Sequence, residues 1–133
     1  MKILFICVGN TCRSPMAMCI ARSKGYEARS AGISVHNEGA YASRYAKAVM
    51  YKRGLSLDNH QSHQIVEEDL IWPDRILCMT NLIREKLLCS FSVIKKEIVT
   101  FTPSIPDPYG CGEEEYEYVA RLIEKQVDDI CIK

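Results

Sequence analysis

Apolar residues recur along the chain with two periods, and the change from one to the other marks out its elements. Lys2-Ile-Leu-Phe-Ile-Cys7 is an almost unbroken apolar run, the pattern of a central parallel strand covered on both faces. Ser14-Pro15 then opens a helix, since proline at the first helical position forfeits no hydrogen bond. Met16, Ala17, Cys19 and Ile20 carry its apolar side and Gly25 ends it. Tyr26 to Ala31 is a short second strand, and Gly32 to Glu38 reads as loop. Ala42, Tyr45, Ala46, Val49 and Met50 fall at helical spacing up to a stop at Gly54. Arg75 to Met79 forms a third strand, Thr80 caps a helix over Asn81 to Phe91, and Glu97 to Phe101 forms a fourth strand. Prolines 103, 106 and 108 hold a loop extended until Glu113, where a cluster of glutamates suits the positive end of a last helix. Tyr116, Ala120, Ile123, Val127 and Ile130 line that helix's buried side.

Strands alternating with helices, joined by connections too long for hairpins, imply an α/β fold. The expectation is a single-domain, doubly wound, four-stranded parallel sheet flanked by helices, spanning residues 1–133 without linker or repeat. Ligands of such sheets bind beyond the carboxyl ends of the strands. Cys7 to Ser14 lies at one such end, and the loop carrying Asp107 lies at another.

At 133 residues with 47% apolar content, the chain is long enough to bury a core without staples. Its 17 basic and 17 acidic residues balance, so no overall field recruits nucleic acid or anionic lipid. The balance is uneven along the chain. Residues 1–66 carry nine basic and three acidic side chains, which favours small anions on that half as much as it favours simple solubility. The apolar run at the start is too short for a signal peptide or a membrane span. Seven cysteines, an odd number without framework spacing, read as reduced cytoplasmic thiols. No CxxC pair is present, so neither a metal nor any other cofactor is expected.

Cys7-Val8-Gly9-Asn10-Thr11-Cys12-Arg13-Ser14 has the form Cys-x5-Arg-Ser. The spacing alone is a weak signal, because Cys78 and Arg84 repeat it in a segment without glycine that continues as helix into Glu85. In the first segment a strand delivers the cysteine, Gly9 and Asn10 permit the backbone angles of a tight ring, and the ring runs into a helix N-terminus. Converging N–H groups and the helix dipole then bind a tetrahedral oxyanion such as phosphate. Arg13 clamps two of its oxygens with a planar fork. The same field is expected to lower the Cys7 pKa from about 8.5, making a thiolate nucleophile toward phosphorus. Expelling the leaving oxygen calls for a general acid, and Asp107, stiffened between Pro106 and Pro108, is the candidate; Asp-Pro-Tyr-Gly also reads as plain turn chemistry.

Cys7 to Pro15 near one end, with Asp107-Pro-Tyr109 near the other, resembles the low-molecular-weight protein-tyrosine phosphatases, and the likeness covers nearly the whole chain. It implies a hydrolase of phosphotyrosine in phosphorylated proteins, working through a phosphocysteine on Cys7, with Arg13 as clamp and Asp107 as general acid and base. Val8, Gly9, Asn10, Thr11, Cys12 and Ser14 would bind phosphate, with the Ser14 hydroxyl stabilising the thiolate. Ser30 and His60 would join Asn10 in a network holding the ring, although His60 also reads as a solvated loop residue. Tyr109 and His36 would wall the substrate cleft. Cys12 would either pair reversibly with Cys7 or simply fill the ring. Cys19, Cys89, Cys111 and Cys131 read as packing or incidental surface residues.

Two features keep other substrates open. Thr11 resembles the branch that removes phosphate from arginine, and Met18 stands where the family commonly has glutamate. Arsenate reductases share the Cys-x5-Arg ring, with Cys78 and Cys89 as candidates for their further cysteines. A non-catalytic phosphate-binding module is the remaining alternative, disfavoured by the presence of both Cys7 and Asp107.

Overall fold

Strand β1, Lys2–Cys7, is almost wholly apolar because it occupies the middle of the sheet, with Ile3, Phe5 and Ile6 fully buried. The computed structural model describes residues 1–91 and 94–131, for Cys131 the backbone alone, so the expectation for that side chain lies outside the described residues. The remaining strands are β2 Glu27–Gly32, β3 Arg75–Cys78 and β4 Glu97–Thr100, and the helices are α1 Arg13–Ser23, α2 Arg44–Tyr51, α3 Asn81–Ser90 and α4 Glu113–Cys131. All strand pairs are parallel, in the order β2-β1-β3-β4. The crossover through α1 runs toward β2 and the one through α3 runs the opposite way. Right-handed connections therefore set α1 and α3 on opposite faces, and α4 returns to pack on α1 and α2.

The expected elements are all present, with shifted ends. Helix α1 begins one residue early, at Arg13, because the ring passes directly into it: the Met16 N–H already donates to the Cys12 carbonyl at 3.2 Å. Strands β3 and β4 each stop a residue short, yet Met79 still donates to Ile6 (3.1 Å) and Phe101 to Cys78 (3.0 Å). Strand β2 is displaced by one, ending at Gly32. Thr80 caps α3 through the Ile83 N–H, and Ser43 caps α2 through that of Ala46. A 3-10 turn over Glu67–Leu70 had no apolar periodicity to announce it.

The register brings Cys7 of β1 level with Gly32 of β2, at the carboxyl edge of the sheet. A Cβ on Gly32 would lie 2.5 Å from the Val8 carbonyl oxygen and 3.1 Å from the Asn10 Cβ, so the ring can close against this edge only over a residue without a side chain.

Candidate active site

The ring from Cys7 to Ser14 turns on one residue. Asn10 has φ 57°, the left-handed region that asparagine tolerates better than most side chains, and it is fully buried. Gly9, expected to share this role, is not in that region, and a Cβ there would meet nothing closer than 3.9 Å. Asn10 supplies the ring's left-handed backbone angle.

Its side chain is fully used. Nδ2 donates to Ser14 Oγ at 2.8 Å and to Ser30 Oγ at 3.0 Å, while Oδ1 accepts the His63 N–H at 2.9 Å. The Asn10 carbonyl faces His60 Nε2 at 2.8 Å. A carbonyl only accepts, so Nε2 carries the proton. Burial, with the nearby Arg22 charge, holds the His60 imidazole below its ordinary range despite that bond, which keeps it neutral at pH 7. His60 is thus placed in the network and not in solvent.

Cys7 Sγ lies 2.9 Å from Ser14 Oγ and 3.3 Å from the Asn10 N–H. Asn10 Nδ2 donates to Ser14 Oγ, so the serine keeps its own hydrogen free to reach the sulfur. Burial is the largest influence on Cys7 and pushes its thiol up; the Ser14 hydroxyl, the Arg13 charge and the N–H groups of Ser14 and Asn10 oppose it without overcoming it. This reverses the expected lowering. The helix and ring contacts are as anticipated, but Cys7 is 2% exposed and its burial outweighs them.

Arg13 is nearly buried. Its Nη1 donates to the Ile105 carbonyl at 3.0 Å, and Nη2 stands 3.7 Å from Asp107 Oδ2. Asp107 is half exposed, and its Oδ1 accepts the Tyr109 N–H at 3.1 Å, so the turn chemistry read from the sequence also fixes the carboxyl group's direction. A cleft of about 420 Å³ opens above the sulfur. Ring residues 7–13 form its floor, and His36, Asp107 and Tyr109 stand around it.

Several contributors were invisible in the sequence. Ser34, Asn37 and Ala40 also line the cleft. Cys12 Sγ donates to Ser43 Oγ at 3.4 Å and meets the Tyr116 hydroxyl at 3.3 Å, so α2 and α4 both hold the ring. Burial, and then the contact with Cys12, push the Tyr116 phenol up to about 12. His63 Nε2 and Nδ1 reach Asp69 (2.7 Å) and Glu38 (3.1 Å); burial alone would lower this imidazole, but the two carboxylates outweigh it and raise it.

The other cysteines sort by environment. Cys19 is buried near the Ser56 carbonyl, while Cys89 and Cys111 are exposed. Cys78 is fully enclosed, and burial pushes its thiol up to about 12, which suits packing and not a thiol relay. Among the described residues no cluster of three or more His, Cys, Asp or Glu side chains could hold a metal ion, and no helix is long and apolar enough to cross a membrane.

A sequence profile described as low molecular weight phosphotyrosine protein phosphatase matches residues 2–132. The chain is 34% identical to a protein-arginine-phosphatase of Geobacillus stearothermophilus, covering 99% of this chain and 95% of that protein. It is 36% identical to the low molecular weight protein-tyrosine-phosphatase PtpB of Staphylococcus aureus, over 98% of this chain and all of the relative. Among solved structures, Vibrio vulnificus Wzb in complex with benzylphosphonate superposes with a TM-score of 0.92 at 27% identity, covering 98% of this chain and 97% of that one.

Proposed function

The chain belongs to the low molecular weight phosphotyrosine protein phosphatase family, and we propose that it hydrolyses phosphotyrosine in phosphorylated proteins through a phosphocysteine on Cys7. The observation that carries this is that Cys7, Arg13 and Asp107 line one cleft, with the Asp107 carboxyl group 3.7 Å from the Arg13 guanidinium. A phosphoryl group seated on the ring N–H groups and the Arg13 fork presents phosphorus to Cys7 and its bridging oxygen to Asp107. Benzylphosphonate, which the Vibrio protein holds, has the shape of a phosphotyrosine headgroup.

In the first step the Cys7 thiol gives its proton to a non-bridging oxygen of the bound phosphoryl dianion, the sulfur forms an S–P bond as the P–O bond to the tyrosine breaks, and the Asp107 carboxyl proton passes to the departing phenoxide. In the second, the Asp107 carboxylate takes a proton from water, the water oxygen bonds to phosphorus, and the S–P bond breaks to give inorganic phosphate and the thiolate. Against the burial that raises the Cys7 thiol, the contacts of Ser14, Arg13 and Asn10 pull the other way and support the sulfur until the departing phosphate returns its proton. Two residues supply attack and proton transfer while the ring stabilises charge, so no cofactor enters the scheme. We place the activity in the cytoplasm on the thiol content of the sequence.

The test is covalent. Brief reaction with ³²P-labelled phosphotyrosine peptide and acid quench should leave label on Cys7, and Cys7→Ser should bind oxyanion but not turn over. Label elsewhere, or turnover by Cys7→Ser, would overturn the scheme.

Thr11 favours a second substrate, phosphoarginine, because it lines the cleft and one relative is named a protein-arginine-phosphatase. Comparing peptides of both kinds, with Thr11→Ile alongside, separates the two: a shift toward tyrosine in the variant identifies Thr11 as the filter.

A further inference from the structure

A second cleft, of about 480 Å³, shares no lining residue with the first, yet two of its walls, Ser30 and His60, are each one hydrogen bond from Asn10. We propose that this cleft binds a small polyvalent oxyanion and that its occupancy acts on the ring through Ser30 and His60.

Its charges are unbalanced. Arg22 spends Nε on the Ala28 carbonyl at 2.9 Å, and Arg29 lies with its guanidinium carbon 4.1 Å from the centre of the Trp72 ring. Stacking occupies the face of a guanidinium and leaves its in-plane N–H groups for a ligand. Among the described residues neither arginine is ion-paired with a carboxylate. The one carboxylate in the lining, Asp69, is already engaged: its Oδ2 takes both His63 Nε2 and the Val66 N–H. Met18 contributes no charge to the wall. Two cations without counter-ions in a concave, partly shielded space attract a multiply charged anion, and the side-chain amides of Asn59 and Gln61 add further donors. Either a phosphoryl or a carboxylate headgroup satisfies this chemistry.

The link to the first cleft is short. An anion seated against Ser30 and His60 restrains both side chains, each bonded to Asn10, and so steadies the left-handed residue on which the ring turns. The expected effect is a rise in kcat of about fivefold, the low end of coupling between two sites, with KM unchanged.

Pyrophosphate and citrate, each titrated calorimetrically into the full chain, give the two headgroup arms, and para-nitrophenyl phosphate turnover at saturation reads the coupling. The double variant R22Q/R29Q should lose the binding event that the wild type shows, and its kcat should no longer respond to added anion. R29Q alone, which removes only the residue stacked on Trp72, should weaken that event about tenfold. Binding of one anion and not the other supports the site and assigns its headgroup. Identical titrations of wild type and both variants, or no binding of either anion beyond the competitive site, overturn the proposal. A lost binding event with kcat unmoved overturns the coupling. The calorimetry reads the second cleft whether or not para-nitrophenyl phosphate is turned over, so failure of the catalytic scheme shows separately.

Discussion

Replacing Asn10 separates what its backbone does from what its side chain does. Asn10→Gly keeps φ 57° accessible but removes three hydrogen bonds, of 2.8, 3.0 and 2.9 Å. At about 0.5–1.5 kcal/mol each, they contribute about 2–4 kcal/mol net. The serine hydroxyls can turn to other partners, but the His63 N–H is left facing a void. The total loss is then about 3–5 kcal/mol, a large part of the stability of a domain of this size. Asn10→Ala loses the same bonds and also forces a Cβ residue into the left-handed region, for about 1 kcal/mol more. Ordinarily alanine is the more stabilising of the two by about 0.5–1 kcal/mol, so the order should invert here. Urea unfolding at constant m measures both variants, and turnover of para-nitrophenyl phosphate should fall in step as Ser14 loses its fixed direction. Alanine at least as stable as glycine would refute the strained-hinge assignment. Losses under about 1 kcal/mol in both would refute the network.

Asp107→Asn should cut turnover of aryl phosphates with poor leaving groups by about 10²–10⁴ while sparing activated ones, and equal losses across a leaving-group series would deny it the acid role. Gly32→Ala should cost about 1–3 kcal/mol by calorimetry, because the Val8 carbonyl at 2.5 Å from the new Cβ must move; a neutral result would mean the ring does not abut β2. Arg53, bonded to Glu117 at 2.6 and 2.8 Å, holds that carboxyl down at about 2. The stabilisation is complete above the ordinary carboxylate pKa and is lost as pH falls through about 2. Arg53→Gln should therefore lose about 1–2 kcal/mol at pH 7, allowing for partial exposure, and the deficit should shrink in acid; a deficit that persists at pH 2 would refute the linkage. Alkylation at pH 8 should modify Cys89 and Cys111 long before Cys78, whose thiol stands near 12, as mass spectrometry of partial digests would show.

What could be read from the chain was what is local in it. The ring is eight consecutive residues, its strand and helix lie on either side, and Asp107 sits in a proline-stiffened turn, so each of these signals fits inside a short window. Ser30 and His60 came from a likeness of order along the chain and not from any property of their own segments. His63, Ser43 and Tyr116 were missed because each meets the ring across a long stretch of chain, and a backbone N–H or a helix-face tyrosine has no chemical signature until the fold brings it there. The sign of the Cys7 shift was missed for a related reason: the favourable contacts are local, whereas the desolvation that outweighs them comes from the whole packed edge of the sheet.

The clasp of Tyr116 on Cys12 joins residues 104 positions apart. Synthesis runs from Cys12 toward Tyr116, so the nucleophile is made well before the helix that steadies its loop. A stalled or clipped nascent chain lacking α4 therefore carries an unfinished loop, and dephosphorylating power arrives only once α4 has been made, sparing neighbouring substrates from half-made enzyme.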